Sequence, residues 1–327
     1  MDVATDPVRT YWTHAAQRQH GRPDAGEPWE SLTTEPAGVA HREVDADGVP
    51  ALWLEPDGAD DLATLFYIHG GGFVSGSLWT HRKLVGHLAA ATGARALLVS
   101  YGHAPEHVHP QQLDHVTRAY EWALDQGVAP GRLAVAGDSC GAWLALSLAL
   151  RARDRGRPLP AALLLISAWV DLSQSGSSYQ TNAATDPFFH KPFVDRLAAT
   201  FLGATSPADP NVDLLQADLT GLPPMYIQVG GDETLLDDSR TLHAIATKAS
   251  VDSRLDVFPE QLHTFQMAAG RTPVADQAIR LLAEWVRSRL AGGQLGGRMR
   301  QAWQAGRAGP EQLDAAALTD EPGDRTV

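Results

Sequence analysis

The fold of this 327-residue chain is decided by the stretch LAVAGDSCGAWLALSLALRAR, residues 133–153. It opens with a short apolar run of the kind that forms a buried strand and continues, from Cys140, with helical length and spacing. Between the two lies the pattern G-x-S-x-G, with Ser139 at its centre. A serine on so sharp a strand-to-helix turn is crowded by backbone, so glycine is needed on both sides. Because the helix N-terminus also favours negative charge beside the serine, the stretch predicts a catalytic nucleophile.

The rest of the chain alternates strand-like and helix-like segments around this stretch. Six short apolar runs bounded by glycine, proline or charged residues predict buried strands, and two further runs joined by Ala46-Asp47-Gly48 predict an antiparallel edge pair. The six runs are Leu62–Ile68, Arg95–Ser100, Leu133–Gly137, Ala161–Ser167, Met225–Val229 and Arg254–Phe258, and the edge pair is Val39–Asp45 with Pro50–Leu54. Helical patterns cover residues 80–91, 111–126, 140–153, 238–249 and 273–290. This alternation predicts an α/β fold with a mostly parallel eight-stranded sheet and helices on both faces.

Two segments interrupt the alternation and predict a helical cap. Residues 1–35 form an N-terminal cap segment with a predicted helix at Pro7–His20. Residues 171–222 are a cap insertion, a Ser/Gly-rich loop followed by helical spacing over Phe188–Leu202, within a catalytic domain of residues 36–290. Residues 291–327, rich in glycine, alanine and glutamine, are predicted to be a flexible C-terminal tail.

A run of three glycines follows the strand Leu62–Ile68, in His69-Gly70-Gly71-Gly72-Phe73. Consecutive glycines allow a loop to present backbone N–H groups to a substrate oxygen, and acyl transfer needs such donors for its tetrahedral oxyanion. In enzymes with this serine turn, one donor is the amide after the nucleophile and another comes from an HGGG-type loop. The predicted oxyanion hole therefore consists of the amides of Gly71, Gly72 and Cys140.

A serine hydroxyl needs a general base, and His263 is the predicted one. The chain has 13 histidines, so position must select among them. His263 follows the strand Arg254–Phe258 and a short loop, which places it at the carboxyl end of a strand, where sites in α/β folds lie. His243 falls inside a helical pattern and is predicted to be a packing or surface residue.

The acid that orients the histidine is expected in the loop after the strand Met225–Val229. Four carboxylates compete there, Asp232, Glu233, Asp237 and Asp238. The last two lie where a helix starts and could cap it or complement its dipole. Asp232 and Glu233 are nearer the strand end, and spacing alone does not choose between them.

Charge and composition exclude several classes of function. The net charge of −13 argues against nucleic acid or anionic membrane surfaces as partners. The single cysteine, Cys140, excludes an intramolecular disulfide, and we interpret it as a small residue filling the turn rather than as a reactive thiol. The chain shows no zinc-type ligand spacing, no signal peptide pattern and no apolar run long enough to span a bilayer. We therefore expect a cytoplasmic protein without metal or organic cofactor.

Together these motifs resemble the hormone-sensitive-lipase-like family of esterases, the HGGG and GDSxG branch of the α/β-hydrolase fold. The likeness runs from about Leu52 to Leu290. Tyr101–His107 is similar to the family's Y-R-L-A-P-E-H turn, with Gly102 and His103 in place of Arg-Leu. Further similar segments are Asp186-Pro187 in the cap-side loop and Leu222-Pro223-Pro224 before the acid-bearing strand.

The resemblance also implies roles for particular residues. Aligning Leu235 and Asp237 with the family's D-P-L-x-D segment puts Glu233 on the position of the catalytic aspartate, and so favours it over Asp232. The family implies that His69 orients the glycine loop and that Asp138 supports the serine turn without transferring a proton. It implies structural roles for three more residues, Glu106, His107 and Asp114.

The predicted function is a serine carboxylesterase that hydrolyses small or short-chain esters through an acyl-enzyme on Ser139, with His263 and Glu233 completing the triad. A lactonase or a deacetylase of a natural product would share this triad and is the main alternative. A non-catalytic small-molecule receptor on the same fold is a remote one, because relatives of that kind have lost the histidine. A homodimer is possible. Six aromatic residues could wall the substrate pocket or simply pack in the core: Trp12, Trp79, Trp143, Trp169, Phe188 and Phe189.

Overall fold

A single twisted sheet organises the computed structural model, which describes residues 6–19 and 29–304, with side chains up to residue 291. Its strands are β1 (Val39–Asp45), β2 (Pro50–Pro56), β3 (Asp60–Ile68), β4 (Ala94–Val99), β5 (Leu133–Asp138), β6 (Ala162–Ile166), β7 (Met225–Gly230) and β8 (Ser253–Phe258). Their spatial order is β1-β2-β4-β3-β5-β6-β7-β8. Pairing is antiparallel between β1, β2 and β4 and parallel from β4 to β8. The predicted mostly parallel, eight-stranded α/β-hydrolase sheet is confirmed.

Helices cover both faces of this sheet. They are α1 (Pro7–Gln19), α2 (Leu78–Thr92), α3 (Gln111–Asp125), α4 (Cys140–Asp154), α5 (Ser178–Thr181), α6 (Lys191–Leu202), α7 (Leu236–Lys248) and α8 (Pro273–Gln304). Alternate residues of a strand point to opposite faces, so β3 contributes side chains to two hydrophobic cores, one on each face of the sheet. Phe66 and Ile68 pack in the core on the side of α3 and α4, whereas Leu65 and Tyr67 pack in the core beneath α2 and α8. Two-sided burial explains why the central strands read as continuous apolar runs.

The two segments that were predicted to form a cap contain the helices α1 and α6. Val8, Trp12 and Ala15 on α1 pack against Leu262 and Phe265 from the loop after β8. In the insertion after β6, α6 begins at Lys191 rather than at the predicted residue 188, with a proline in its first turn. Proline suits that position because the first helical N–H groups have no intrahelical partner.

The last helix differs from its sequence-based prediction. The helical pattern was recognised over residues 273–290, and the Gly-, Ala- and Gln-rich tail after it was predicted to be flexible, with a partly helical start left open. The helix nevertheless continues to Gln304, so the first part of the predicted flexible tail is helical. The remainder of that tail lies outside the described residues. None of the helices in the described part of the chain is both long and apolar enough to cross a bilayer.

Candidate active site

The serine turn between β5 and α4 has strained geometry. Ser139 has φ 54° and ψ −124°, a backbone conformation that L-residues rarely adopt. Its relative exposure is 5%, so the residue is buried. A Cβ on Gly137 would lie 2.4 Å from the carbonyl oxygen of Gly141, and one on Gly141 would lie 2.2 Å from that of Ile68. Both glycines are therefore required by the close approach of backbone around Ser139, as the motif predicted.

The glycine loop runs directly beside this turn. The amide of Gly70 donates to Asp138 Oδ1 over 3.0 Å, and the amide of Phe73 donates to Cys140 Sγ over 3.2 Å. Gly71 and Gly72 have positive φ values of 123° and 64°. A Cβ on Gly71 would lie 2.1 Å from the carbonyl oxygen of Ser75, so the tight loop excludes any side chain there.

Asp138 joins the loop, the turn and the helix α2. Its carboxylate is fully buried and accepts hydrogen bonds from Tyr67 Oη over 2.9 Å and from Gly70 N, and it lies 3.3 Å from His81 Nε2. Burial opposes its ionisation, but the charge and hydrogen bond of His81 and the hydroxyl of Tyr67 lower the pKa of Asp138 on balance. His81 and Tyr67 were not predicted to contribute to the site, because nothing in the neighbouring sequence distinguishes either from an ordinary core residue.

His69 is a buried neutral residue behind the loop. Burial, together with the neighbouring His81, lowers the pKa of His69 from 6.5 to about 3. Its ring stacks on Tyr101 with centroids 4.5 Å apart, and the Tyr101 hydroxyl donates to the His69 carbonyl over 2.9 Å. These contacts fix the start of the glycine loop.

His263 and Glu233 form a buried pair. Nδ1 of His263 lies 2.8 Å from Oε2 of Glu233, and the other carboxylate oxygen accepts from Gly230 N over 3.2 Å. Both side chains are almost completely buried. Burial raises the pKa of Glu233, while the hydrogen bond and charge of His263 oppose that rise. His243 lies instead on α7, where its Nδ1 contacts Ser253 Oγ.

The other three carboxylates of the acid-bearing loop have different partners. Asp232 Oδ2 accepts from Arg9 on α1 over 2.8 Å. Asp237 accepts from Ser177 Oγ and Ser178 N in the cap insertion. Asp238 is buried and accepts from the amides of residues 170 and 171 at the end of the β6 loop. Among the four candidates, the structure brings Glu233 to His263.

Cys140 lies in the turn as a buried thiol. Its sulphur contacts Phe73 N and Tyr101 Oη, and it has no exposed surface. Burial raises the pKa of the Cys140 thiol to about 12, which keeps it protonated. A protonated and inaccessible thiol is a poor nucleophile, which favours the interpretation of Cys140 as a packing residue.

Ser139, His263, Gly71 and Gly72 line one cavity of about 380 Å³. The remaining wall is mostly aromatic and aliphatic. The N-terminal segment contributes Tyr11, Trp12, Ala15, Arg18, Gln19 and Trp29. The insertion contributes Phe188, Phe189, Phe193 and Leu197, and the end of the glycine loop contributes Val74 and Ser75. Trp12 packs on both Phe188 and Phe189 at 4.9 Å between ring centroids, and its Nε1 donates to the His263 carbonyl over 2.9 Å. Among the six aromatic candidates, Trp143 and Trp169 lie in the core and Trp79 is half exposed.

Comparison with known proteins places the chain in a family. A family model described as an alpha/beta hydrolase fold matches residues 65–267. The crystal structure of an esterase from the bacterial hormone-sensitive lipase family matches with a TM-score of 0.81 at 36% identity, covering 88% of this chain and 99% of that one. The chain belongs to the hormone-sensitive lipase family of α/β-hydrolases.

Curated members of the family support this assignment. An acetyl-hydrolase of Streptomyces hygroscopicus is 38% identical over 238 residues, which cover 73% of this chain and 79% of the relative. An esterase of Acinetobacter venetianus is 37% identical over 225 residues, which cover 68% of this chain and 74% of that protein.

One departure from the hormone-sensitive lipase pattern has a structural reason. Gly102 stands where the family's turn has arginine, and a Cβ on Gly102 would lie 2.2 Å from Cδ2 of His107. The amide of Gly102 donates to Nδ1 of His115 over 2.9 Å, and Nδ1 of His107 lies 2.9 Å from Gln111 Oε1. The ring of His107 thus occupies the space that a side chain at residue 102 would need.

Proposed function

We propose that the chain hydrolyses small carboxylic esters through an acyl-enzyme on Ser139. It is a carboxylic ester hydrolase of the hormone-sensitive lipase family, and its relatives include an esterase and an acetyl-hydrolase. The observation that carries the proposal is that Ser139 and the Glu233-paired His263 line the same cavity as Gly71 and Gly72.

The hydrogen bond between His263 and Glu233 sets the role of each nitrogen. Since the carboxylate lies at Nδ1, that nitrogen carries the hydrogen, which leaves Nε2 to accept the proton of Ser139 as it attacks the ester carbonyl. Glu233 holds this orientation and stabilises the imidazolium that forms. Burial of the pair strengthens their interaction, because the surrounding dielectric constant is low.

The oxyanion that develops on the carbonyl needs donors beside Ser139. We assign this role to the amides of Gly71, Gly72 and Cys140, the last of which begins α4. His263 then gives its proton to the leaving alcohol, and a water molecule repeats the sequence on the acyl-enzyme to release the acid.

The size and lining of the cavity support a small ester. Ligand pockets commonly run from about 300 to 1,000 Å³, so the volume of about 380 Å³ is near the lower end. The aromatic wall from the cap favours an apolar acyl or alcohol group over a charged one.

The test is hydrolysis of p-nitrophenyl acetate and butyrate together with labelling by a fluorophosphonate probe. Ser139→Ala should abolish both turnover and labelling. The matched control is Ser147→Ala, which removes another buried serine hydroxyl from the same helix region. Robust turnover by Ser139→Ala would refute the mechanism, and absence of labelling in the unmodified protein would favour a receptor.

Removal of acetyl groups is the second candidate, because the Streptomyces relative is an acetyl-hydrolase. A panel that contains acetyl, butyryl and octanoyl esters, a lactone and an N-acetyl compound separates the two. A kcat/KM that falls steeply from acetyl to butyryl esters would favour the deacetylase. The cytoplasmic location and the homodimer stay predictions, the latter to be tested by light scattering.

A further inference from the structure

Asp186 is a buried carboxylate at the junction of the cap insertion and the acid-bearing loop. It has a relative exposure of 2%. One oxygen, Oδ1, accepts from the amides of Phe188 and Phe189 over 2.9 and 3.0 Å. The other, Oδ2, accepts from Thr234 N over 3.0 Å, a residue 48 positions later in the chain. The two oxygens thus serve two different segments.

Both segments lead directly to the catalytic pair. Thr234 follows Glu233, so the Asp186 contact fixes the backbone next to the acid. Phe189 packs its ring on His263 with centroids 4.2 Å apart. A third contact closes this junction, because the Thr234 hydroxyl donates to the Phe189 carbonyl over 2.6 Å. Asp186 therefore lies at the centre of a connection between Glu233 and the wall against His263.

A local turn explains only half of this arrangement. Aspartate and asparagine both accept from the amide two residues on, as Asp186 Oδ1 does from Phe188. An asparagine cannot also serve Thr234 N, because its NH₂ group donates and does not accept. Two acceptor oxygens are needed at residue 186, and burial makes an unsatisfied amide there costly.

We infer that Asp186 is a positioning residue, which sets Glu233 and the Phe189 wall against His263. This inference rests on the proposed function. A small displacement of a catalytic group is enough to lower the rate, and a shift of about 1 Å can cost about a hundredfold. Asp186 itself touches neither Ser139 nor the substrate in this mechanism.

The first test is Asp186→Asn, with kcat/KM for p-nitrophenyl butyrate expressed per serine titrated by the fluorophosphonate. We expect a fall of about 10-fold to 100-fold. The matched control is Asp171→Asn, because Asp171 is also a buried carboxylate of the insertion but accepts from Ser173 and Ser175 in its own turn. A wild-type value for Asp186→Asn would overturn the inference.

The second test combines Asp186→Asn with Glu233→Gln. If Asp186 acts through the acid-bearing loop, its loss should cost less than about threefold in the Glu233→Gln background, since residues that act as a unit are not additive. Equal losses in the two backgrounds would show a merely structural role. The single Glu233→Gln variant reports on the proposed function separately, because an unimpaired enzyme would refute the assignment of the acid itself.

A third comparison keeps the inference testable if Asp186→Asn does not fold. Thr234→Val removes the hydroxyl, which donates to the Phe189 carbonyl and also lies 3.3 Å from Asp186 Oδ2, while keeping the amide that donates to Asp186. Thr234→Ser keeps both groups. We expect the valine variant to lose kcat and the serine variant to retain it, and equal activity of the two would contradict the junction as a positioning device.

Discussion

Arg9 on the N-terminal helix donates a hydrogen bond to Oδ2 of Asp232 over 2.8 Å. The same guanidinium donates to the carbonyl of Thr185 in the cap insertion over 2.8 Å. Asp232 therefore ties α1 to the acid-bearing loop, while its neighbour Glu233 lies against His263. The two adjacent acids thus have separate partners, because Asp232 binds α1 and Glu233 binds the loop after β8.

Exchange of each acid for its amide should separate these tasks. Glu233→Gln should lower kcat by about 10,000-fold, since an amide at this position favours the wrong imidazole tautomer. Asp232→Asn removes one partly exposed ion pair, which is worth about 1 kcal/mol or less, and should leave kcat close to wild type. Steady-state kinetics with p-nitrophenyl butyrate measure both. Loss of turnover in Asp232→Asn alone would reverse the assignment.

Truncation of Trp12 should change the range of esters accepted. Trp12→Ala removes a buried ring from the cavity wall, so kcat/KM for the octanoyl ester should rise about tenfold relative to the acetyl ester. The variant should also unfold at a lower temperature, because such truncations cost about 3–5 kcal/mol. Trp79→Ala is the control, since Trp79 is 49% exposed and does not line the cavity. An unchanged acyl preference in Trp12→Ala would contradict the role of α1 in selectivity.

Acidification should destabilise the protein through His69. The folded pKa of His69 is about 3, whereas the free side chain titrates near 6.5. Between these values the unfolded chain binds a proton that the folded chain does not, so the free energy of unfolding falls by up to about 1.4 kcal/mol for each pH unit below 6.5. The fall levels off near pH 3. Urea titrations between pH 7 and 4 measure it.

His69→Asn should remove this contribution, so the free energy of unfolding of the variant should fall less steeply with acidification, by up to about 1.4 kcal/mol for each pH unit. The control is His190→Asn, because His190 is exposed at the start of α6. The comparison uses slopes, so it holds even if His69→Asn lowers stability at every pH. Parallel curves for His69→Asn and the unmodified protein would show that His69 is not held neutral in the fold.

Cys140 should resist alkylation in the folded protein. Its pKa of about 12 and its burial leave almost no accessible thiolate at pH 8. Iodoacetamide should label one thiol per chain in guanidinium chloride and none without it, as read by mass spectrometry. Stoichiometric labelling of the active enzyme would mean that the turn opens or that the thiol is reactive.

The fold and the positions of Ser139 and His263 at the strand ends were predictable, because each follows from a pattern within one short stretch of sequence. Ser139 lies inside one continuous strand-turn-helix segment, and His263 follows the last strand at the expected edge. The central strands were recognised because burial on both faces makes their sequences apolar, whereas the exposed edge strand β1 was recognised through the turn that joins it to β2. The structure placed Ser139 and His263 on one cavity, as those local patterns required.

The contacts that the sequence left open all depend on distant partners. Spacing could not separate Asp232 from Glu233, because the two differ in distant partners: Asp232 pairs with Arg9, 223 residues away, and Glu233 contacts His263. His81 could not be distinguished among the 13 histidines of the sequence, because its role depends on its contact with Asp138 in another element. The continuation of α8 to Gln304 was left open, because the Gly-, Ala- and Gln-rich composition after residue 290 is compatible with either a helix or a flexible arm.

The contact between Trp12 and His263 joins residues 251 positions apart, the first helix and the last strand's loop. Part of the pocket wall is therefore contributed by a segment that is remote in sequence from Ser139, Glu233 and His263. Exchange of the first helix between relatives would therefore change the wall that faces the ester and, at the same time, a contact that supports the loop of His263, so a transplanted α1 has to match that loop as well as the ester.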